Sequence, residues 1–256
     1  VRDWGSGKPL IFLAGWTLAS DAWGYEMVRL FERGFRCVAY DRRGHGRSDD
    51  PGRGYDYDTL ADDLAHVLDV LDLRNVTLVG HSMAGGEMAR YLARHGYDRV
   101  ARLLFVAPIT PMILDTPDNP TGITSAMLEA GRKPLLTDFP KWIADNAPPF
   151  FLPTTSPQMI EWGMAMMLRA SLQAVVESAR IMTGTDFRAD LQAIRMPTVV
   201  IHGDRDASAP LALTGRRTAE LVPGAKLIVY EGAPHGIFAT YIDQLTADIS
   251  AFAGAP

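Results

Sequence analysis

The stretch that most constrains this chain is Asn75 to Arg90, NVTLVGHSMAGGEMAR. Val76 to Val79 read as a short apolar strand, and Ala84 to Ala93 place small and apolar residues along one side of a helix. Between them, Gly80-His81-Ser82-Met83-Ala84 leaves almost no room for a loop. A strand that turns this sharply into a helix through a serine lifts the hydroxyl clear of the sheet edge. The common spacing is G-x-S-x-G, whereas here Ala84 holds the last position and Gly85 and Gly86 follow. Small residues are needed because the two backbones pass close together, and alanine adds a single methyl. A lone motif of this kind arises often by chance, so its weight depends on what stands downstream.

The flanking pattern sets the fold class. Pro9 to Ala14 is a continuous apolar run ending at Gly15, as in a strand covered on both faces. Ser20 or Asp21 is placed to cap a helix running to about Arg33, and Phe35 to Tyr40 returns as a strand. A polar loop, Asp41 to Asp50 (DRRGHGRSDD), follows, and a helix is predicted over Tyr57 to Leu71 with Leu60, Leu64, Val67, Leu68 and Leu71 on one stripe. After the serine turn and its helix, Val100 to Val106 reads as another strand. This alternation predicts an α/β fold: a mostly parallel sheet flanked by helices.

The alternation stops at Ala107-Pro108. From there to Leu191 the chain is rich in proline and nearly free of strand signals. Helical candidates are Ile123 to Gly131, Leu135 to Asn146, Pro157 to Arg169 and Leu172 to Met182. Residues 108–191 therefore read as a helical cap inserted in one domain spanning 1–256. The sheet resumes at Met196 to His202. A helix over Pro210 to Leu221, a strand over Ala225 to Tyr230 and a helix over Phe238 to Phe252 complete the pattern.

Composition excludes several classes of function. Net charge is −5 with no basic run, which argues against a nucleic-acid partner. No apolar stretch reaches the ~18 residues of a membrane span and no signal peptide is visible, so a cytoplasmic protein is the expectation. The one cysteine, Cys37, excludes an intrachain disulfide and reads as a buried thiol. No set of histidines and carboxylates has metal-ligand spacing, and no glycine-rich phosphate loop follows the first strand; neither a metal nor a nucleotide cofactor is expected.

A serine hydroxyl is a weak nucleophile near neutral pH and needs a base, itself oriented by a third group. The strand ending at His202 runs into Gly203-Asp204-Arg205-Asp206, and the one ending near Tyr230 runs into Gly232-Ala233-Pro234-His235-Gly236. His235 is the candidate base and Asp206 the candidate acid. Asp204 competes, but it lies tight against the strand end, where a carboxylate serves better as an acceptor for turn N–H groups. His45 and His81 read as structural, and His66 and His95 lie in helices.

Taken together, DWGSGKPL at Asp3, AGWTLASDAW at Ala14, YDRRGHGRSD at Tyr40, GHSMAGGEMARYLARHG at Gly80, MPTVVIHGDRD at Met196 and GAPHG at Gly232 resemble the α/β-hydrolase superfamily. Within it the chain is similar to the cofactor-free bacterial haloperoxidase and aryl esterase branch. The resemblance implies Ser82 as nucleophile, Asp206 as acid, His235 as base, and the backbone N–H groups of Trp16 and Met83 as the oxyanion hole. It departs from that branch at Ala14, where relatives usually have histidine, and at Thr17, where they commonly have proline. Relatives also begin with a further hairpin before the segment matching Asp3 to Leu10, so a missing edge of the sheet is expected.

The activity implied is hydrolysis of a small-to-medium, uncharged carboxylic ester or lactone through an acyl-enzyme. Weak perhydrolase activity is implied beside it, with Thr17 in place of proline as its expected control point. A carbon–carbon bond or amide/lactam hydrolase with the same triad, and a ligand-binding or signalling protein on the same fold, remain alternatives. A serine at the turn argues against relatives of this fold that use aspartate there. Cap methionines at 112, 127, 159, 164, 166, 167 and 182, with Trp142, Phe150, Phe151 and Trp162, are expected to form the cap's core and, in part, the roof of the pocket.

Overall fold

In the computed structural model, which describes residues 1–254, seven strands form one sheet in the order β1-β3-β2-β4-β5-β6-β7. They are β1 (Arg2–Trp4), β2 (Pro9–Leu13), β3 (Arg36–Ala39), β4 (Val76–His81), β5 (Val100–Val106), β6 (Thr198–Gly203) and β7 (Lys226–Tyr230). All neighbouring pairs are parallel except β1 with β3. The β3 side of the sheet ends in a short antiparallel strand from Arg2, Asp3 and Trp4.

Parallel pairing needs crossovers, and these supply the two outer layers. Helices α1 (Gly24–Glu32) and α11 (Ile242–Ala253) pack on one face, while α2 (Tyr57–Val70), α3 (Ala84–His95), α8 (Arg188–Ala193) and α9 (Gly215–Leu221) pack on the other. Alternate residues of the central strands divide between the two cores. Leu10 and Phe12 face Trp23, Met27 and Leu30, and Ile11 and Leu13 face Leu60, Leu64 and Met88. Strands buried on both sides read as unbroken apolar runs for this reason. Cys37 lies in the first core, where burial pushes its thiol up to about 12 and makes it inert.

The cap is helical. Between β5 and β6 come α4 (Ser125–Thr137), α5 (Phe139–Asn146), α6 (Pro157–Met167) and α7 (Leu172–Gly184), before α8 returns to the sheet. Each of α4 to α7 begins on a side chain that accepts an N–H of its first turn: Thr124, Asp138, Ser156 and Ser171.

Several boundaries differ from the sequence pattern. Helix α4 runs through Pro134, and the break falls at Asp138, whose carboxylate caps α5 at Lys141 N–H. Ser20 and Asp21 do not cap α1; they lie in a 3₁₀ turn and receive Arg2 instead. The helix expected from Pro210 begins only at Gly215, because the Thr214 hydroxyl bonds the carbonyls of Ala209 and Pro210. The last helix is interrupted at Tyr241, separating α10 (Ile237–Thr240) from α11.

Candidate active site

The site forms where the carboxyl ends of β2, β4, β6 and β7 meet the cap. Ser82 follows β4 with φ 55°, in the left-handed region that few non-glycine residues enter. Its N–H donates to Val106 O at 2.9 Å, and its own carbonyl accepts Gly85 N–H at 3.0 Å. These bonds hold the strained turn. Among the small residues after it, Gly86 is the tightest: a Cβ there would lie 2.4 Å from Phe187 and 2.8 Å from Tyr57. Ala84, which breaks the usual spacing, is accommodated.

His235 stands in the loop after β7, and its Nε2 is 2.9 Å from Ser82 Oγ. Its Nδ1 is 2.6 Å from Asp206 Oδ2. Asp206 Oδ1 accepts the N–H groups of Ser208 at 2.9 Å and Ala209 at 2.7 Å. Burial pushes the Asp206 carboxyl up, but the neighbouring His235 and bonds from His202 and His235 outweigh it, so the group stays well below the usual carboxylate range. Asp204 lies elsewhere: its Oδ1 accepts Gly232 N–H at 2.7 Å and ties the two strand-end loops together. The structure brings Ser82, Asp206 and His235 into one hydrogen-bonded chain and leaves Asp204 outside it.

Two backbone N–H groups flank the serine. Met83 opens α3, and Trp16 lies in the loop after β2; neither N–H has a protein acceptor among the described residues. The loop sits directly on the serine, since a Cβ on Gly15 would be 3.2 Å from Ser82 Cβ and 2.5 Å from His81 Nδ1. Thr17 is buried with φ 64°, and its hydroxyl donates to Trp16 O at 2.6 Å. A β-branched residue in this region is strained and marks a functional loop. It also corrects the expectation for Thr17: proline is locked near −65° and cannot take this conformation, so the substitution would break the loop rather than tune it.

Further residues complete the site that the sequence pattern left in the background. Arg42 donates to Glu87 Oε2 from Nε at 2.9 Å and from Nη2 at 2.7 Å, and to Ala14 O at 2.9 Å, all buried. His202 Nε2 lies 2.7 Å from Ala209 O and 3.1 Å from Asp206 Oδ2, so it carries the proton there. His81 Nε2 lies 3.0 Å from His235 O and is likewise the protonated nitrogen. Burial and the neighbouring His235 lower His81 to about 3. The signal for Glu87 was a lone acidic residue amid the small residues of α3; that for His202 was a histidine inside an apolar strand.

The cavity above Ser82 is about 310 Å³ and has no charged side chain in its wall. Trp142, Ile143 and Phe150 roof it from the cap, and Asn146 and Thr17 add polar edges. Of the cap methionines only Met167 and Met182 reach it, while Met127 is exposed. The roof is tied to the sheet: Trp16 Nε1 donates to Val175 O at 3.0 Å, and Gly236 N–H to Phe150 O at 3.0 Å. Among the described residues no group of three or more potential metal ligands exists. No helix there is long and apolar enough to cross a membrane.

Comparison with known proteins agrees with this fold. Residues 8–160 match the family model described as the alpha/beta hydrolase fold. A non-heme chloroperoxidase of Kitasatospora aureofaciens is 40% identical over 241 residues, covering 92% of this chain and 88% of that protein. A bifunctional esterase/perhydrolase of Acinetobacter calcoaceticus is 35% identical over 263 residues, covering 98% and 94%. The crystal structure of a bromoperoxidase from Bacillus anthracis superposes with a TM-score of 0.94 at 35% identity, covering 98% of this chain and 93% of that one.

Proposed function

The chain belongs to the α/β-hydrolase family, and from that premise we propose that it is a serine hydrolase acting on a carboxylic ester or lactone through an acyl-enzyme. The observation that carries the proposal is the unbroken chain from Ser82 Oγ through both nitrogens of His235 to Asp206. His235 Nε2 takes the Ser82 proton as the oxygen attacks the carbonyl carbon. The developing oxyanion meets the N–H groups of Met83 and Trp16, each worth ~3 kcal/mol of barrier in such sites. His235 then returns the proton to the leaving alkoxide. Water, deprotonated by His235, attacks the acyl-enzyme to release the acid and free Ser82. The chemistry needs only residues of this chain and water.

The cavity supports a small-to-medium substrate whose reacting end is uncharged, since its volume lies at the low end for ligand pockets and its walls are largely apolar. Hydrogen peroxide entering in place of water would yield a peracid from the same acyl-enzyme. The esterase/perhydrolase relative supports that side reaction, which we place below hydrolysis in rate. The test is intact mass after a fluorophosphonate probe, with hydrolysis of a panel of aryl esters, lactones and amides. One adduct per chain, lost in Ser82→Ala, with ester or lactone turnover is expected. An unlabelled folded protein with no turnover would reject the enzyme in favour of a binding role.

A further inference from the structure

Beside the reaction cavity lies a second chamber of about 180 Å³. Ile109, Met182 and Ser208 line both, so the two adjoin at these residues, and Ser208 is two residues from Asp206. The second chamber is otherwise mostly apolar, with Met112, Ile123, Leu128 and Leu213 in its wall. One charged side chain lines either chamber: Arg217, on α9 of the sheet-side layer.

The guanidinium is held but not neutralised. Its Nη1 donates to Asn119 Oδ1 at 2.6 Å, its one side-chain hydrogen bond among the described residues. Asn119 is 1% exposed, and its amide nitrogen donates to Leu114 O at 2.7 Å, which fixes Oδ1 as the acceptor facing Arg217. Arg132 reaches the same wall through Thr183 but is paired with Glu129 at 2.5 Å. Pinning Asn119 occupies one nitrogen of Arg217 and leaves Nε and Nη2. A planar fork of donors beside apolar walls matches the two oxygens of a carboxylate, and it is stronger there than in open water.

We propose that this chamber is a second binding site, which takes a carboxylate-bearing arm of the substrate. The substrate is then a half-ester or lactone with a free carboxylate several methylenes from the scissile carbonyl. The apolar wall of Met112, Ile123, Leu128 and Leu213 holds the methylenes, and Arg217 holds the carboxylate. The inference rests on the hydrolase reading for the carbonyl's position. It amends the expectation of a wholly uncharged substrate, which looked for cations in the cap; this one comes from the layer beneath.

The test compares kcat/KM for methyl half-esters of the C4 to C7 dicarboxylic acids with methyl esters of the matching monoacids, followed by pH-stat. At one chain length the half-ester should be preferred. Arg217→Gln, which keeps a donor for Asn119 but loses the charge, should lower that preference about tenfold or more, mainly through KM. Arg217→Lys should keep part of it. A preference absent at every length, or unchanged in Arg217→Gln at intact melting temperature, overturns the site. Turnover of the neutral esters reports separately on the hydrolase reading. Where neither series turns over, calorimetry of Ser82→Ala with monomethyl adipate and monomethyl pimelate decides: binding lost on adding Arg217→Gln supports the site, and no binding rejects it.

Discussion

Replacing Asp206 by asparagine tests the proposed mechanism at its most specific point. Both carboxylate oxygens are in use: Oδ1 accepts two backbone N–H groups at 2.9 and 2.7 Å, and Oδ2 faces His235 Nδ1 at 2.6 Å. An asparagine has one acceptor and one donor side. Turning its NH₂ toward Ser208 and Ala209 would set donors against two N–H groups, so its oxygen must stay with them. The NH₂ then faces His235 Nδ1, which becomes an acceptor, and the ring proton moves to Nε2. In that tautomer His235 donates to Ser82 Oγ and cannot take its proton. The expected loss is about 10⁴-fold in kcat, or ~5.5 kcal/mol of barrier. The NH₂ also opposes His202 Nε2, 3.1 Å from Oδ2, which adds a stability cost of ~1–3 kcal/mol. Asp204→Asn keeps an acceptor for Gly232 N–H and should change kcat less than about threefold. Steady-state kinetics with thermal melts on both variants make the comparison. A folded Asp206→Asn within tenfold of wild type, or a larger catalytic loss at Asp204, would refute the assignment.

Three more outcomes are expected. Thr17→Pro should cut fluorophosphonate labelling of Ser82 at least tenfold without raising the ratio of perhydrolysis to hydrolysis, because φ 64° is closed to proline; Thr17→Gly should keep labelling. Gly86→Ala should lower the melting temperature by about 5 °C, since its methyl would meet Phe187 at 2.4 Å. Burial, with the charge of Arg42, lowers His45 to about 4, and His81 lies at about 3, so the unfolded chain takes up protons that the folded one refuses. The histidines' contribution is complete above about pH 6.5 and falls by on the order of a few kcal/mol toward pH 4. The lowered Asp206 carboxyl adds stability that is lost only below about pH 4, whereas burial raises the Glu26 carboxyl, which opposes the histidines, so the His45 share is read from its variant within this window. Denaturant melts across it should show a shallower slope in His45→Asn, whose amide can still donate to Arg43 O.

What the sequence made legible follows from where information is local. Strand ends, the serine turn and the loops after β6 and β7 are short segments whose chemistry reads in order, so Ser82, Asp206 and His235 could be named from position alone. The choice between Asp204 and Asp206 rested on reach, and the distances of 2.7 Å to Gly232 N and 2.6 Å to His235 follow that division. Boundaries were poorer where side chains compete with the backbone, as at Asp138 and Thr214. Thr17 was misjudged because φ is a property of the closed loop: no propensity places a β-branched residue at 64°. Arg217 was invisible because its chamber is assembled from the 109–123 loop, the cap and α9, segments about 100 residues apart.

The strain at Ser82 and Thr17 has to be held by something, and the structure places a buried ion pair between them. Arg42, 5% exposed, takes the carbonyls of Ala14 and Gly15 from the loop that carries Trp16 and Thr17. Its carboxylate partner Glu87, 1% exposed, lies on α3 one turn beyond Ser82 and is also bonded by Tyr40 at the end of the β3 segment. Replacing such a pair by apolar residues of similar volume often costs little or even stabilises, so stability alone does not explain it. Geometry does. Guanidinium and carboxylate bonds are directional, and here they fix one loop against one helix in a low-dielectric interior where a shift of an ångström would strand a charge. Those two elements carry the N–H groups of Trp16 and Met83. In the proposed reaction both must already point at the carbonyl oxygen before charge develops there, because donors that reorganise during the step stabilise it less. The Arg42–Glu87 pair therefore holds a separation that neither the strained loop nor the helix start could keep by itself.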